Sequence, residues 1–149
     1  MREYDLVVVG GGVAGLTAGL FGARYGLKSI VLEQLITGGQ IVNAERIENY
    51  PGFPRGVSGA ELGPFVQEQA MDNGCAVEMV GVTRLTPQDP YLVLETTDGP
   101  FRAKAVVVAA GSTLRRLGVP GEAEYDGRGV SHCATCDGPF FAGEVVGVV

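Results

Sequence analysis

Cys133 and Cys136, two cysteines with two residues between them, are the side chains in this sequence best suited to chemistry. At that spacing one thiolate can attack a disulfide sulfur while the other resolves the mixed disulfide, the exchange that a C-x-x-C pair supports. His132, the single histidine of the chain, precedes the pair, and Asp137 follows it. Half of a zinc site is the competing reading of an H-C-x-x-C run, but there is no second C-x-x-C, and such contiguous ligands give poor tetrahedral geometry. No metal site is expected. The third cysteine, Cys75, has no partner in sequence and is expected to pack as a small apolar residue.

A second constellation lies near the start. Gly10, Gly12 and Gly15, within VVVGGGVAGLTAG, fit the G-x-G-x-x-G pattern. There the first glycine makes a tight turn, the second lets a pyrophosphate approach, and the third lets a helix pack closely on its strand. The helix N-terminus, here Val13 and Ala14, faces the anion. Glu33, about 20 residues further on at a predicted strand end, is placed to accept from ribose hydroxyls. An acidic residue there favours the unphosphorylated ribose of FAD or NAD over the 2′-phosphate of NADP. The motif alone leaves FAD and NAD both open.

Both constellations need elements to hold them. Tyr4 to Val9 is an apolar run with β-branched valines and predicts a strand, Val13 to Tyr25 predicts a helix, and Ser29 to Leu32 a second strand. Together they make one β-α-β unit of roughly 30 residues. From Ile36 to Gly59 periodicity gives way to glycines and prolines, so a long irregular segment is expected. Ser58, with Glu61 three positions later, reads as a capping box for a helix running to about Asn73 and ended by Gly74.

Three β-like runs follow, at about Cys75 to Leu85, Tyr91 to Thr96 and Phe101 to Ala109, with Pro87, Pro90 and Asp98-Gly99 marking the turns. They suggest a small antiparallel meander before the chain returns to a parallel sheet, with AKAVVVAAG as a buried central strand. Beyond Gly111 the chain is polar and broken, as a connection between domains would be. Arg115, Arg116 and the stretch Glu122 to Asp126 read as solvated linker. The closing EVVGVV predicts the first strand of a second nucleotide-binding domain.

The 149 residues suffice for one domain with a core and not for two complete nucleotide-binding domains. A hydrophobic share of 46% against 19% charged residues describes a compact chain, since disordered chains invert that balance. A formal net charge of −6 opposes nucleic acid, whose binding relies on clustered Lys and Arg, so no nucleic-acid partner is expected. No apolar run approaches the roughly 20 residues that span a bilayer, and Leu6 to Val9 is too short for a signal peptide. A cytoplasmic protein without membrane contact is expected.

Four segments carry a more specific likeness: GGQ at Gly38 to Gln40, IENYPGFP at Ile47 to Pro54, VVVAAGS at Val106 to Ser112, and HCATCDGPFF at His132 to Phe141. In this order, and over essentially the whole chain, the sequence resembles the thioredoxin reductase family. The resemblance implies an α/β fold. Residues 1–114 would form a Rossmann-like FAD-binding domain, a parallel sheet with helices and a small antiparallel β-meander. Residues 115–149 would hold the linker, the C-x-x-C motif and the first strand of an incomplete NAD(P)H-binding domain.

The resemblance also implies FAD as the bound cofactor. Gly39 and the side-chain amides of Gln40 and Asn49 would lie toward the flavin end, Ala110 and Gly111 would form a second small-residue turn near the cofactor, and the Val82 backbone would meet the adenine. Ala110 stands where many relatives place a threonine, which keeps the turn and removes a hydroxyl. Cys133 and Cys136 would form the redox disulfide, with Cys136 facing the flavin and Cys133 attacking the partner. Asp137 would be the acid that protonates the flavin-proximal thiolate or the reduced flavin.

The implied activity passes electrons from NADPH through FAD to Cys133-Cys136 and on to thioredoxin or a similar small thiol protein, in a homodimer or with a complementing chain. The family's NADPH-binding domain lies beyond these residues, so NADPH-driven turnover by this chain alone is not expected. A non-catalytic FAD-binding or interaction fragment is the alternative of a different class. The flavoprotein component of alkyl hydroperoxide reductase shares the core but carries an extra N-terminal module, against which Met1 directly before the first strand argues. Ferredoxin-NADP reductases of similar architecture lack the cysteine pair.

Overall fold

The structure is a computed structural model that describes residues 1–134 and 137–149 in full and the backbone alone at Thr135 and Cys136. The chain divides into two compact units, Met1–Gly111 and Ser112–Val149. In the first, β1 (Arg2–Val9), α1 (Val13–Arg24) and β2 (Ser29–Glu33) form the β-α-β unit. β1 and β2 run parallel, with Val7 opposite Ile30 and Val9 opposite Leu32. A 3-10 turn at Gly39–Asn43 lies in the irregular segment, followed by α2 (Gly59–Asp72), β3 (Ala76–Met79), β4 (Val82–Gln88), β5 (Tyr91–Thr96) and β6 (Phe101–Val108). The sheet order is β3-β2-β1-β6-β5-β4, parallel from β3 to β6 and antiparallel over β5 and β4.

β1 and β2 are apolar at successive positions over Leu6–Val8 and Ile30–Leu32 because both of their faces are covered there. Strand residues point alternately to the two faces. Leu6 and Val8 therefore pack with Leu16, Leu20 and Leu62 of α1 and α2, while Val7 joins Ile30, Leu32, Leu94 and Phe101. Val7, Val8, Ile30 and Val31 are wholly buried, and each such side chain contributes roughly 1.5–3 kcal/mol.

Glycine along the inner stripe of α1 lets the helix lie close to the sheet. A Cβ on Gly19 would stand 2.6 Å from the Val31 side chain, and one on Gly22 2.6 Å from both Leu6 and Ser29. α2 opens with its capping box, the Glu61 carboxylate accepting from the Ser58 amide at 3.3 Å and the Ser58 hydroxyl at 2.6 Å. It closes at Asn73, with Gly74 at φ +91°. Cys75 packs as a small apolar residue, free and 3% exposed.

Several expectations change. The run from Cys75 to Leu85 is two strands: β3 joins the parallel sheet, with Met79 opposite Glu33, and only β4 belongs to the antiparallel part. Pro87 lies inside β4 and not in a turn, because β4 is an edge strand, where a residue without an amide hydrogen need not break the ladder. The turn falls instead at Asp89-Pro90, a cis peptide. β6 is central in order, but β5 pairs only with Phe101 to Ala103, and Val107 and Val108 are 38% and 67% exposed. The closing residues Glu144 to Val149 pair into no sheet, an apolar run needing a neighbouring ladder before it can be a strand.

The second unit holds a short helix, α3 (Ala134–Asp137), and a 3-10 turn at Gly138–Phe141. Contrary to the linker reading, Glu122 is only 5% exposed. Its carboxylate accepts from the Leu117 amide at 3.0 Å and the Gly118 amide at 2.7 Å. These two bonds hold the Glu122 carboxyl below the usual carboxylate range and fold the turn around its side chain.

Candidate cofactor site and disulfide centre

The glycine loop joins β1 to α1 at the C-terminal ends of the parallel strands, where the sheet continues to β2 on one side and β6 on the other. Ligands of open α/β sheets bind at such a switch point. Gly10 has φ +104°, and a Cβ there would stand 2.3 Å from the Ala109 carbonyl oxygen and 3.0 Å from Ala110 Cα. The first glycine turn and the Ala109-Ala110 turn after β6 are therefore in contact. Gly15 is equally tight, a Cβ falling 1.9 Å from the Gly10 carbonyl oxygen.

Gly12 is different. It has φ −67° and ψ 174°, which any residue can adopt, and a Cβ there would meet nothing within 4 Å. The space over Gly12 is open, as a loop that cradles a pyrophosphate requires. Gly12 also caps α1, whose first bond runs from the Leu16 amide to the Gly12 carbonyl at 2.9 Å. The amides of Val13 and Ala14 lie in the helix's unpaired first turn, which carries no acidic side chain, so its positive end suits an anion.

Glu33 closes the other side of the loop. Its Oε2 accepts from the Gly11 amide at 2.6 Å and its Oε1 from the Leu35 amide at 3.0 Å. Each oxygen keeps a further acceptor site that a ribose hydroxyl could use. Gly38 donates its amide to the Gly11 carbonyl at 2.8 Å, and the Cβ position of Gly39 lies 3.3 Å from Gly12 Cα. The 3-10 turn that carries Gln40 thus starts against the glycine loop.

Gly10, Gly12, Val13, Ala14, Gly15, Glu33, Gly39 and Ala110 are brought together in this way. Val82 is half-buried at the start of β4, opposite Thr96, three residues beyond the Met79 that faces Glu33. Asn49 is exposed on a separate loop closed by two Ile47-Val57 hydrogen bonds of 2.8 and 3.0 Å. Gly111, at φ +70°, ends the first unit.

In the second unit Cys133 is disulfide-bonded, whereas the Cys136 side chain lies outside the described residues. The Ser131 hydroxyl accepts from the Cys133 amide at 3.0 Å and donates to Asp137 Oδ2 at 2.5 Å. The Asp137 amide donates to the Cys133 carbonyl at 3.0 Å. His132 lies 3.9 Å from Asp126. The arrangement holds the Asp137 carboxyl group in the same short segment as the disulfide-bonded Cys133.

Four participants escaped the sequence reading. Gly11 and Gly38 supply backbone bonds that any residue type can make, so only their place in glycine pairs pointed to them. Glu122 and Ser131 act on backbone amides across short loops, a role that polar loop residues do not announce in sequence.

Residues 4–145 match the family described as pyridine nucleotide-disulphide oxidoreductase. The chain is 40% identical over 147 residues to a thioredoxin reductase of Treponema pallidum, covering 99% of this chain and 48% of that protein. It is 44% identical over 147 residues to one of Helicobacter pylori, covering 97% and 47%. The solved thioredoxin reductase of Lactococcus lactis is similar with a TM-score of 0.79 at 40% identity, over 93% of this chain and 45% of that one. That of T. acidophilum gives 0.79 at 37% identity, over 95% and 46%. The chain spans about half the length of the curated relatives it matches. With its glycine loop, acidic strand end and disulfide all inside the matched residues, the chain belongs to the pyridine nucleotide-disulphide oxidoreductase family.

Proposed function

We propose that this chain binds FAD through residues 1–114 and carries, in residues 115–149, the connection, the C-x-x-C motif and the beginning of an NAD(P)H-binding domain. The reaction served is thioredoxin-disulfide reduction, with electrons passing from NADPH through FAD to Cys133-Cys136 and on to thioredoxin or a similar small thiol protein. The thioredoxin reductases to which the chain is similar use FAD and NADPH. The setting is cytoplasmic, in a homodimer or with a complementing chain. No described helix is long and apolar enough to cross a membrane.

The observation that carries the reading is the open space over Gly12, beside a helix N-terminus and a ribose-competent Glu33. Gly10, Gly12, Val13, Ala14 and Gly15 would hold the pyrophosphate, Glu33 the ribose, Val82 the adenine, and Gly39, Gln40, Asn49, Ala110 and Gly111 the flavin end. Bound FAD would supply the two-electron relay between nicotinamide and disulfide.

The cysteines do the rest. The reduced Cys133 thiolate attacks one sulfur of the partner disulfide, forming a mixed disulfide and releasing one partner thiolate. Cys136 then attacks the Cys133 sulfur, restoring the disulfide and releasing the second thiolate. Asp137 holds the proton that a departing or waiting thiolate needs.

The test is FAD binding by the purified chain, read from quenching of flavin fluorescence, with Gly12→Ala as the control. Saturable binding that Gly12→Ala abolishes supports the site, and binding unaffected by Gly12→Ala refutes it. A non-catalytic FAD-binding role is the second reading, favoured by the chain spanning about half the length of those reductases. Mixed-disulfide capture of a Cys136→Ser chain by oxidised thioredoxin separates the two, since only the reductase reading predicts it.

A further inference from the structure

We propose that Ser131 is a positioning residue for Asp137, fixing its carboxylate beside the Cys133 disulfide; this rests on the disulfide-exchange reading above. A serine hydroxyl has one hydrogen to give and two lone pairs. Here the hydrogen goes to Asp137 Oδ2 at 2.5 Å, and a lone pair receives the Cys133 amide at 3.0 Å. The Cys133 carbonyl, 3.3 Å away, is the weaker claimant for the same hydrogen, because a hydroxyl bonded to a carboxylate makes a shorter and roughly twice stronger bond than one between neutral groups.

The Asp137 amide donates to the Cys133 carbonyl at 3.0 Å, so two bonds tie Asp137 to the cysteine's surroundings, one through its backbone and one through Ser131. Only the second fixes where the carboxylate points. Ser131 and Asp137 also line, with Phe140 and Phe141, a cavity of about 300 Å³.

A carboxylate close to a thiol disfavours the thiolate, and the Asp137 backbone is bonded to that of Cys133. Releasing or neutralising it therefore favours the reduced pair. His132 and Arg116 each lie 3.9 Å from Asp126 in this unit, and none of the proposed variants alters these three residues.

The full chain is equilibrated at pH 7 with mixtures of reduced and oxidised glutathione, and Cys133 is scored as disulfide or thiol by alkylation and mass. In each reduction two glutathione thiols give two electrons and two protons to the disulfide and become one glutathione disulfide. Ser131→Ala is expected to become half-reduced when the squared concentration of reduced glutathione, divided by that of oxidised glutathione, is lower by roughly three- to tenfold, the scale of coupling between contacting residues. Asp137→Asn should shift it at least as far, the double variant no further than Asp137→Asn alone, and Ser131→Thr should return to the wild-type ratio.

A Ser131→Ala chain at the wild-type ratio, or one shifted the opposite way, overturns the proposal. So does a Ser131→Ala effect that persists in full on top of Asp137→Asn, as a merely structural hydroxyl would give. A wild-type chain with no reversible couple overturns the disulfide-exchange reading, and the positioning role falls with it.

Discussion

The Gly11 amide donates to Glu33 Oε2 at 2.6 Å, joining the glycine loop to the end of the neighbouring strand. Gly11 is buried, so removing its acceptor leaves an unpaired amide out of reach of bulk water. Such a loss costs about 1–3 kcal/mol. Glu33→Ala should therefore lower the free energy of unfolding measured in urea by that amount and weaken FAD binding at least tenfold, about 1.4 kcal/mol. Glu33→Gln keeps an oxygen for Gly11 and should recover more of the stability than of the affinity. A Glu33→Ala chain that unfolds at the wild-type urea concentration would show that this bond does not hold the loop.

Gly12 and Gly15 separate binding from folding. A methyl on Gly15 collides with the Gly10 carbonyl oxygen at 1.9 Å, whereas a methyl on Gly12 enters open space. Gly15→Ala should destabilise the first unit by about 1–3 kcal/mol or more, through overpacking. Gly12→Ala should stay within about 1 kcal/mol of wild type, the scale of a changed helix cap, and yet lose flavin binding. Circular-dichroism melts and fluorescence titrations on the two variants decide it; a Gly12→Ala chain that binds FAD normally would place the pyrophosphate elsewhere.

The same glycines show why much of the site could be read from sequence. A turn that tolerates no Cβ, a helix that begins directly after it and an acidic residue at the next strand end are local requirements with fixed spacings, and Gly10, Gly15 and Glu33 meet them. Ser58 and Glu61 announced α2 for the same reason. Partner choice is not local. Nothing within Cys75 to Leu85 states that β3 pairs with β2 while β4 pairs with β5, and the apolar run of β6 looks the same whether or not its second half is covered. Glu122 was illegible because its partners are backbone amides, which every residue offers, and Ser131 because one of its partners is such an amide and the other, Asp137, lies six residues away across a turn.

Cys75 should be chemically silent. It is buried beneath α1, where a Cβ on Gly19 would stand 2.8 Å from its sulfur, and burial pushes its thiol pKa up. The thiolate is the reactive form, so both access and ionisation oppose reaction. The unreduced native chain should give no rapid colour with a disulfide thiol reagent, one thiol should appear in guanidinium, and reduction before denaturation should expose all three cysteines of the chain. Rapid labelling of Cys75 in the native chain would contradict its place in the core.

Glu122 makes the second unit sensitive to acid. Its carboxyl is held below the ordinary range first by the Leu117 amide, then by the Gly118 amide, with Arg116 and His132 adding to the effect. Because the folded value lies below the unfolded one, the stabilisation is complete above the ordinary carboxylate value of about 4.3 and is lost as pH falls from there through the folded value. The Leu117 and Gly118 amide resonances should accordingly titrate together with a midpoint below that value. In Glu122→Gln the shared transition should vanish, and both amides should exchange faster with solvent at neutral pH, since a neutral acceptor makes the weaker bond. Two amides that titrate at the ordinary carboxylate midpoint, or that keep their transition in Glu122→Gln, would mean that another group organises this loop.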